Sequence, residues 1–231
     1  MQSTLATHSE EGLSGSLGAS ANWRTGNIEY LQLTATPLAR YRHGKHFVVG
    51  LATANRRTNN GDIIISRFFE HLRYRYDLSE SILGEVFVQH EFDAVKRLEL
   101  RALVGGGPKF NIVNKKSVTL DLGISYMLEY EKLQDDGNSD SGVTDFQHRN
   151  STYIVAGYQL DDRVKLAESV YVQPRLTDAN DIRVLSESEM TFQLTEHLSF
   201  TSSFTLAYDS RPPDSIGRLD TTLKSSVAFE F

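Results

Sequence analysis

Apolar and polar residues alternate with a period of two from one end of this chain to the other. In the final segment Leu219, Thr221, Leu223, Ser225, Val227, Phe229 and Phe231 share one face. Asp220, Thr222, Lys224, Ser226 and Glu230 share the other. The same rhythm runs through Leu198, Phe200, Ser202, Phe204, Leu206 and Tyr208, through Val118 to Tyr130, and through Leu98 to Ile112. Winding these segments at 3.6 residues per turn would scatter each apolar set, so the period predicts strands.

The connections are of two kinds that take turns along the chain. Tight ones fall at His43-Gly44-Lys45, Ser79-Glu80-Ser81, Asn114-Lys115-Lys116, Asp161-Asp162 and Glu196-His197. More variable ones fall at Thr25-Gly26, Asn59-Asn60-Gly61, Asp93-Ala94-Val95, Gln134 to Val143, Thr177-Asp178-Ala179 and Arg211 to Gly217. Short turns at one rim and longer loops at the other are the pattern of an up-and-down antiparallel barrel. About twelve strands result, and an even count puts both termini at the short-turn rim, the periplasmic side of a bacterial barrel. Residues 1–10 read as a short periplasmic lead-in and residues 11–231 as one barrel domain. Pro37, Pro108 and Pro174 interrupt strands, and a proline has no N–H for a ladder, so bulges or local irregularity are expected there.

Which face meets what decides the class. A soluble lipid-carrier barrel also alternates, with its apolar face inward. Here the strands run about 14–17 residues, beyond the ~9–11 that cross a bilayer. Aromatic residues gather toward strand ends (Trp23, Tyr41, Tyr74, Tyr76, Phe92, Tyr126, Tyr130, Tyr208, Phe229 and Phe231), as interfacial girdles do. Both features point to a transmembrane barrel. The chain stops on Phe231, with Phe229, Val227 and Leu223 on the same face, and that arrangement resembles the terminal signal read by the outer-membrane barrel assembly machinery.

Composition narrows the field further. A hydrophobic fraction of 39% and a mean hydropathy of −0.35 suit a wall in which only alternate residues meet lipid. No apolar run approaches the ~18 residues of a membrane-spanning helix. With 24 basic and 30 acidic residues the net charge is −6, a poor basis for nucleic-acid binding. There is no cysteine, which excludes disulfides, thiolate metal sites and a cysteine nucleophile. The seven histidines show no metal-ligand spacing, so neither metal nor cofactor is expected. Met1-Gln2-Ser3-Thr4 lacks the charged and apolar regions of an export signal. Either such a signal has been removed or the protein is intracellular, and the barrel pattern favours removal and a bacterial outer-membrane location.

A family resemblance joins these observations. Thr25-Gly26-Asn27, Tyr41-Arg42-His43-Gly44-Lys45-His46, Asn59-Asn60-Gly61 and Arg73-Tyr74-Arg75-Tyr76-Asp77-Leu78-Ser79-Glu80, with strands between them, resemble the small outer-membrane family that includes the salt-induced outer-membrane proteins. The likeness continues through Gly105-Gly106-Gly107 and Leu122-Gly123-Ile124-Ser125-Tyr126 to Phe231. It implies a barrel and a location, and it supplies no catalytic residues.

Three groups of residues are candidates for function. Arg67, His71, Arg73 and Arg75 on one strand, Glu85, Gln89, Glu91 and Asp93 on the next, and then Arg97, Glu99 and Arg101 would form ion-pair ladders in the lumen. Such ladders rigidify a narrow barrel or form a charged constriction that selects solutes. His148 with Asn150 and Ser151, and Asp145 with Asp209, are the best materials for an outer-membrane hydrolase, and they match no motif known from such enzymes. Glu70 and Glu168 fall on the lipid-facing parity, where a carboxylate is costly, which raises a covering neighbour protomer. The sequence therefore predicts a porin-like, non-enzymatic barrel, a homo-oligomer that organises or encloses membrane lipid. A narrow diffusion channel is the alternative; a hydrolase and a soluble lipid carrier rank lower.

Overall fold

The computed structural model describes residues 11–26, 29–59, 62–196 and 198–229. Twelve strands follow one another: β1 Gly12–Arg24, β2 Tyr30–His43, β3 His46–Asn59, β4 Asp62–Asp77, β5 Ile82–Asp93, β6 Leu98–Lys115, β7 Val118–Leu133, β8 Thr144–Gln159, β9 Val164–Arg175, β10 Asp178–Gln193, β11 Leu198–Asp209 and β12 Leu219–Phe229. The only helical element among the described residues is one 3-10 turn, Ala94–Lys96. Every strand pairs antiparallel with its sequence neighbours, in the order β1 to β12. The fold is an up-and-down antiparallel barrel.

The wall is inverted relative to a soluble barrel. From β3 to β11, except where a bulge at the start of β6 reverses the parity, the odd-numbered residues face the lumen: Arg73, Arg75, Glu85, Asp121, Glu129 and Arg149 are all buried there. Leu72, Val86, Val88, Val104, Ile124 and Ile154, on the opposite parity, stand exposed outside. An apolar outer belt around a polar interior is what a bilayer's hydrocarbon requires. Tyr41, Tyr74 and Tyr158 lie on that outer face toward the tight-turn rim, with Trp23, Phe92, Tyr130 and Phe146 toward the loop rim. His46 Nδ1 meets the Tyr74 hydroxyl at 2.7 Å in the first group, and Tyr130 and Phe146 pack at 4.9 Å in the second.

All three prolines sit at gaps in one flanking ladder. The β2–β3 pairing is interrupted between Ala35↔Ala54 and Leu38↔Leu51 around Pro37. The β6–β7 pairing is interrupted between Gly106↔Tyr126 and Lys109↔Gly123 around Pro108. The β8–β9 pairing is interrupted between Arg149↔Arg175 and Thr152↔Val172 around Pro174. In all three ladders the register is the same on both sides of the gap. Each proline keeps a partner on its other side, Leu17, Gly84 and Ile182 respectively. A missing N–H costs a ladder bond on one side only, so the barrel tolerates it.

Two sequence expectations shift. The turn expected at 114–116 falls at 116–117, because Asn114 and Lys115 still pair with Thr119 and Val118. The connection near Thr177 contracts to 176–177, since Asp178 already opens β10. Among the described residues the outermost ladders are β1–β2 and β11–β12, and side chains on both faces of β1 and β12 are exposed.

Candidate functional site

On the β4–β9 side the lumen is filled at mid-height by a layer of charged and aromatic side chains. Alternation aims Arg73 and Arg75 of β4 and Glu85 of β5 inward, and the register sets Arg75 opposite Glu85. Glu85 accepts from Arg75 Nε at 3.2 Å, from Arg73 Nη1 at 3.5 Å and from the Tyr153 hydroxyl at 2.6 Å. Tyr153 belongs to β8, so this last bond joins two non-adjacent strands inside the lumen. Its ring stacks on Tyr171 of β9 at 4.8 Å. The Arg73 guanidinium lies over Phe87 and Tyr153, 5.1 and 5.6 Å from their ring centres. Lys109 and Asp121 close the layer with a 2.8 Å ion pair. Gly123 is required here, because a Cβ on it would overlap the Tyr153 ring.

Toward the loops lies a second layer. Arg183 of β10 reaches Glu129 at 2.5 Å and Glu131 at 2.9 Å, both on β7, and Asp209 on β11 at 2.8 Å. Arg101 pairs with Glu131 at 2.7 Å and Glu91 at 3.3 Å. Arg149, only 1% exposed, binds Asp181 at 2.7 Å and Gln147 at 2.9 Å. A buried charge is tolerable only when paired and hydrogen-bonded, and each of these is.

Above both layers the loops form a cap. Arg97, in the left-handed region at φ 58°, ends the 3-10 turn. Its guanidinium donates to Asp136 at 2.5 and 2.8 Å, pairs with Asp140 at 2.7 Å and donates to the Asp214 carbonyl at 2.8 Å. Ser139 hydrogen-bonds the Asp214 carboxylate, and the Asp214 amide donates to Asp140. One arginine thus ties three loops together. Hydrogen bonds from Arg97 hold the Asp136 carboxyl well below the usual carboxylate range and lower that of Asp140. The cap and the mid-height layer enclose a cavity of about 280 Å³, bounded by Pro212, Pro213 and Ile216 above and by Arg73 and Tyr171 below. A second cavity of about 390 Å³ lies on the tight-turn side, beside Asp121, Gln159, Lys165 and Glu189.

The ladder residues named from the sequence divide into two sets. Arg67, His71, Arg73, Arg75, Glu85, Glu91 and Arg101 face the lumen. Arg67 meets Asp93 at 3.1 Å, and His71 Nδ1 donates to Gln89 at 3.2 Å while Nε2 accepts from Arg73. Two positions are corrected. Glu99 turns outward to Lys132, 2.7 Å away, because a bulge between Leu98 and Leu100 adds a residue and breaks the parity. Arg97 belongs to the loop cap. Glu129, Glu131, Lys109, Arg149, Tyr153, Tyr171, Asp181 and Arg183 were not singled out from the sequence. Their signal was their odd parity on β6 to β10.

The remaining candidates separate across the wall. His148 points outward to the Tyr126 hydroxyl at 2.6 Å, whereas Ser151 is buried inside and accepts from Gln173 at 3.3 Å. They lie on opposite faces of one strand and cannot form a nucleophile–base pair. Asp145 and Asp209 are engaged by different arginines, Arg175 and Arg183. Glu70 and Glu168 both point outward; Glu70 lies beside His90 and Glu168 is held by Ser186 and Ser188. Leu223 and Val227 are outward and exposed opposite Phe204 and Phe200, and Phe229 pairs with Leu198 at the strand end. Phe231 and residues 1–10 lie outside the described residues.

Solved structures of similar architecture are barrels. The NanC porin, in a rhombohedral crystal form, superposes with a TM-score of 0.56 at 12% identity, covering 94% of this chain and 100% of its own. The translocator domain of the autotransporter NalP from Neisseria meningitidis gives a TM-score of 0.46 at 13% identity, over 99% of this chain and 92% of its own. No functionally curated protein matches. The family comparison gives a match over residues 17–231, and the chain therefore belongs to the family described as "Protein of unknown function, DUF481".

Proposed function

We propose that the protein is a porin-like, non-enzymatic barrel of the bacterial outer membrane, a homo-oligomer that organises or encloses membrane lipid, with a lumen closed to free diffusion. The observation that carries this reading is the Tyr153–Glu85 bond, which joins the non-adjacent β8 and β5 inside the lumen at 2.6 Å between two buried side chains. Packed guanidinium, carboxylate and phenol groups fill the β4–β9 side of the lumen at that height. The apolar outer belt supports a membrane location, and the outward Leu223 and Val227 of β12 suit handling by the barrel assembly machinery. The opposite facing of His148 and Ser151 argues against a hydrolase. The resemblance to the salt-induced outer-membrane proteins, carried by motifs from Leu17 to Phe231, supports the barrel and its location.

Planar-bilayer recording with lipid analysis of the purified particle tests it. The wild type is expected to be electrically silent and to carry a fixed number of phospholipids per chain. The double variant Glu85→Ala/Tyr153→Ala, whose plug is cut back, is expected to conduct. Steady conductance steps from the wild type would instead establish the second reading, a narrow channel for small polar solutes. That reading is favoured by the two cavities that already lie above and below the plug.

A further inference from the structure

The lumen network leaves one charged cluster on the outer wall unaccounted for. Glu70 sits in the middle of β4, and its ladder partner on β5 is His90. His90 Nδ1 lies 3.6 Å from Glu70 Oε2, and the two side chains keep 42% and 54% of their surface exposed. That distance is within ion-pair reach but too long for a good hydrogen bond, and His90 also meets the Phe68 ring at 5.8 Å. Both groups stay half exposed toward the hydrocarbon with hydrogen-bonding capacity to spare. They stand in a shallow groove of about 530 Å³ whose flanks are small, with Pro37, Ala39, Gly50 and Ala52 on the β2–β3 side. A Cβ added at Gly50 would meet nothing nearer than 3.6 Å, so the groove is open to a close-fitting surface.

Glu168, the other outward carboxylate, behaves differently. Ser186 donates to it at 2.8 Å, and Ser188 hydrogen-bonds its second oxygen. It is hydrogen-bonded within one chain, whereas the only polar side-chain contact of Glu70 and His90 among the described residues is their long 3.6 Å one with each other.

We propose that this groove is the contact of a two-fold symmetric homodimer in which Glu70 of each protomer meets the partner's His90. Acyl chains offer an acid and an imidazole no partner. A second copy offers both in the right order, because rotation about an axis along the membrane normal between β4 and β5 places each acid opposite an imidazole. An isologous contact demands this self-complementarity. The small flanking residues let two walls approach closely, as small residues do between helices in membranes. The inference rests on the homo-oligomeric reading above and names its surface.

Two single variants decide it. Glu70→His puts imidazole against imidazole, and His90→Glu puts carboxylate against carboxylate. Each is expected to lose its own homodimer by at least roughly tenfold, as like groups juxtaposed at an interface do. Co-expressed with different tags, the two are expected to pair with each other, because imidazoles then face carboxylates across the interface. Native mass spectrometry of detergent-extracted protein reads all three species, and the mixed dimer shows that both variants fold. Glu168→Gln is expected to leave the homodimer intact. Rescue only by Glu70→His/His90→Glu in one chain, with no mixed dimer, would make the pair internal and overturn the proposal. A wild-type oligomer that ignores both variants, or that is lost in Glu168→Gln, overturns this surface and leaves the oligomeric reading standing. A monomeric wild type overturns both.

Discussion

Tyr153 of β8 reaches through the lumen, past β6 and β7, and donates its hydroxyl to Glu85 of β5 at 2.6 Å. The two strands are not neighbours, so the bond acts as a strut between separate parts of the wall. Removing either end has unequal consequences. Tyr153→Phe removes one donor and leaves Glu85 with its two arginines. Glu85→Ala leaves Arg73 and Arg75 buried without their shared carboxylate. In urea titrations of the protein in micelles, Tyr153→Phe is expected to destabilise by about 1–3 kcal/mol. Glu85→Ala is expected to cost more, about 3–5 kcal/mol. Equal losses would mean that the arginines are rescued by water and that the lumen is wetter than described.

Gly123 and Tyr153 form a second dependent pair. A methyl at residue 123 would occupy the Tyr153 ring, so Gly123→Ala must displace the strut. We expect Gly123→Ala to be destabilising alone and nearly neutral in a Tyr153→Ala background, where the ring is absent. A double-mutant cycle by the same titration measures the coupling, expected at about 1–3 kcal/mol. Additive losses would show that the glycine is needed for its backbone alone.

Alternation made most of this legible. Once the outer face is fixed as apolar, parity alone sends Arg73, Glu85 and Arg101 inward and Glu70 and Glu168 outward. Parity fails at Glu99, where a one-residue bulge turns the chain, because a bulge follows from local ladder geometry that hydrophobic pattern does not encode. The reach of Tyr153 to Glu85 and of Arg183 to Glu129 was not legible either. Such contacts depend on how tightly twelve strands curl, a property of the whole sheet that no single strand carries. Arg97 was misassigned for a related reason. Its charge fits a ladder, but Asp93 caps the following turn through Val95 and Lys96 and lifts Arg97 into the loops.

The Arg97 cap is expected to loosen in acid. Asp136 and Asp140 have carboxyls held below their ordinary range by Arg97. A depressed folded-state pKa stabilises the cap above the unfolded value, about 4 for aspartate. That stabilisation fades as pH falls below it and is lost as the lower folded values are passed. Hydrogen exchange, corrected for intrinsic rate, is expected to rise in residues 134–143 and 210–218 between pH 5 and pH 3. Arg97→Ala is expected to show the faster exchange already at pH 5. A wild type with unchanged protection at pH 3 would remove the ion pairs as the cause of closure.

The edges make the last prediction. The β1 and β12 strands each pair on one side among the described residues. In hydrocarbon an unpaired ladder costs several kcal/mol per group, a far larger penalty than any single side chain could offset. The Leu17 and Leu223 side chains, 75% and 72% exposed, lie on the outward parity, so the two strands already present lipid-compatible faces for closing against each other. We therefore expect backbone amides of β1 and β12 in lipid nanodiscs to exchange as slowly as those of β7, which pairs on both sides. Fast exchange confined to β1 and β12 would establish a standing lateral opening in the wall. A truncation that removes β1 would then leave the protection of β7 unchanged, whereas in a closed barrel it would abolish it.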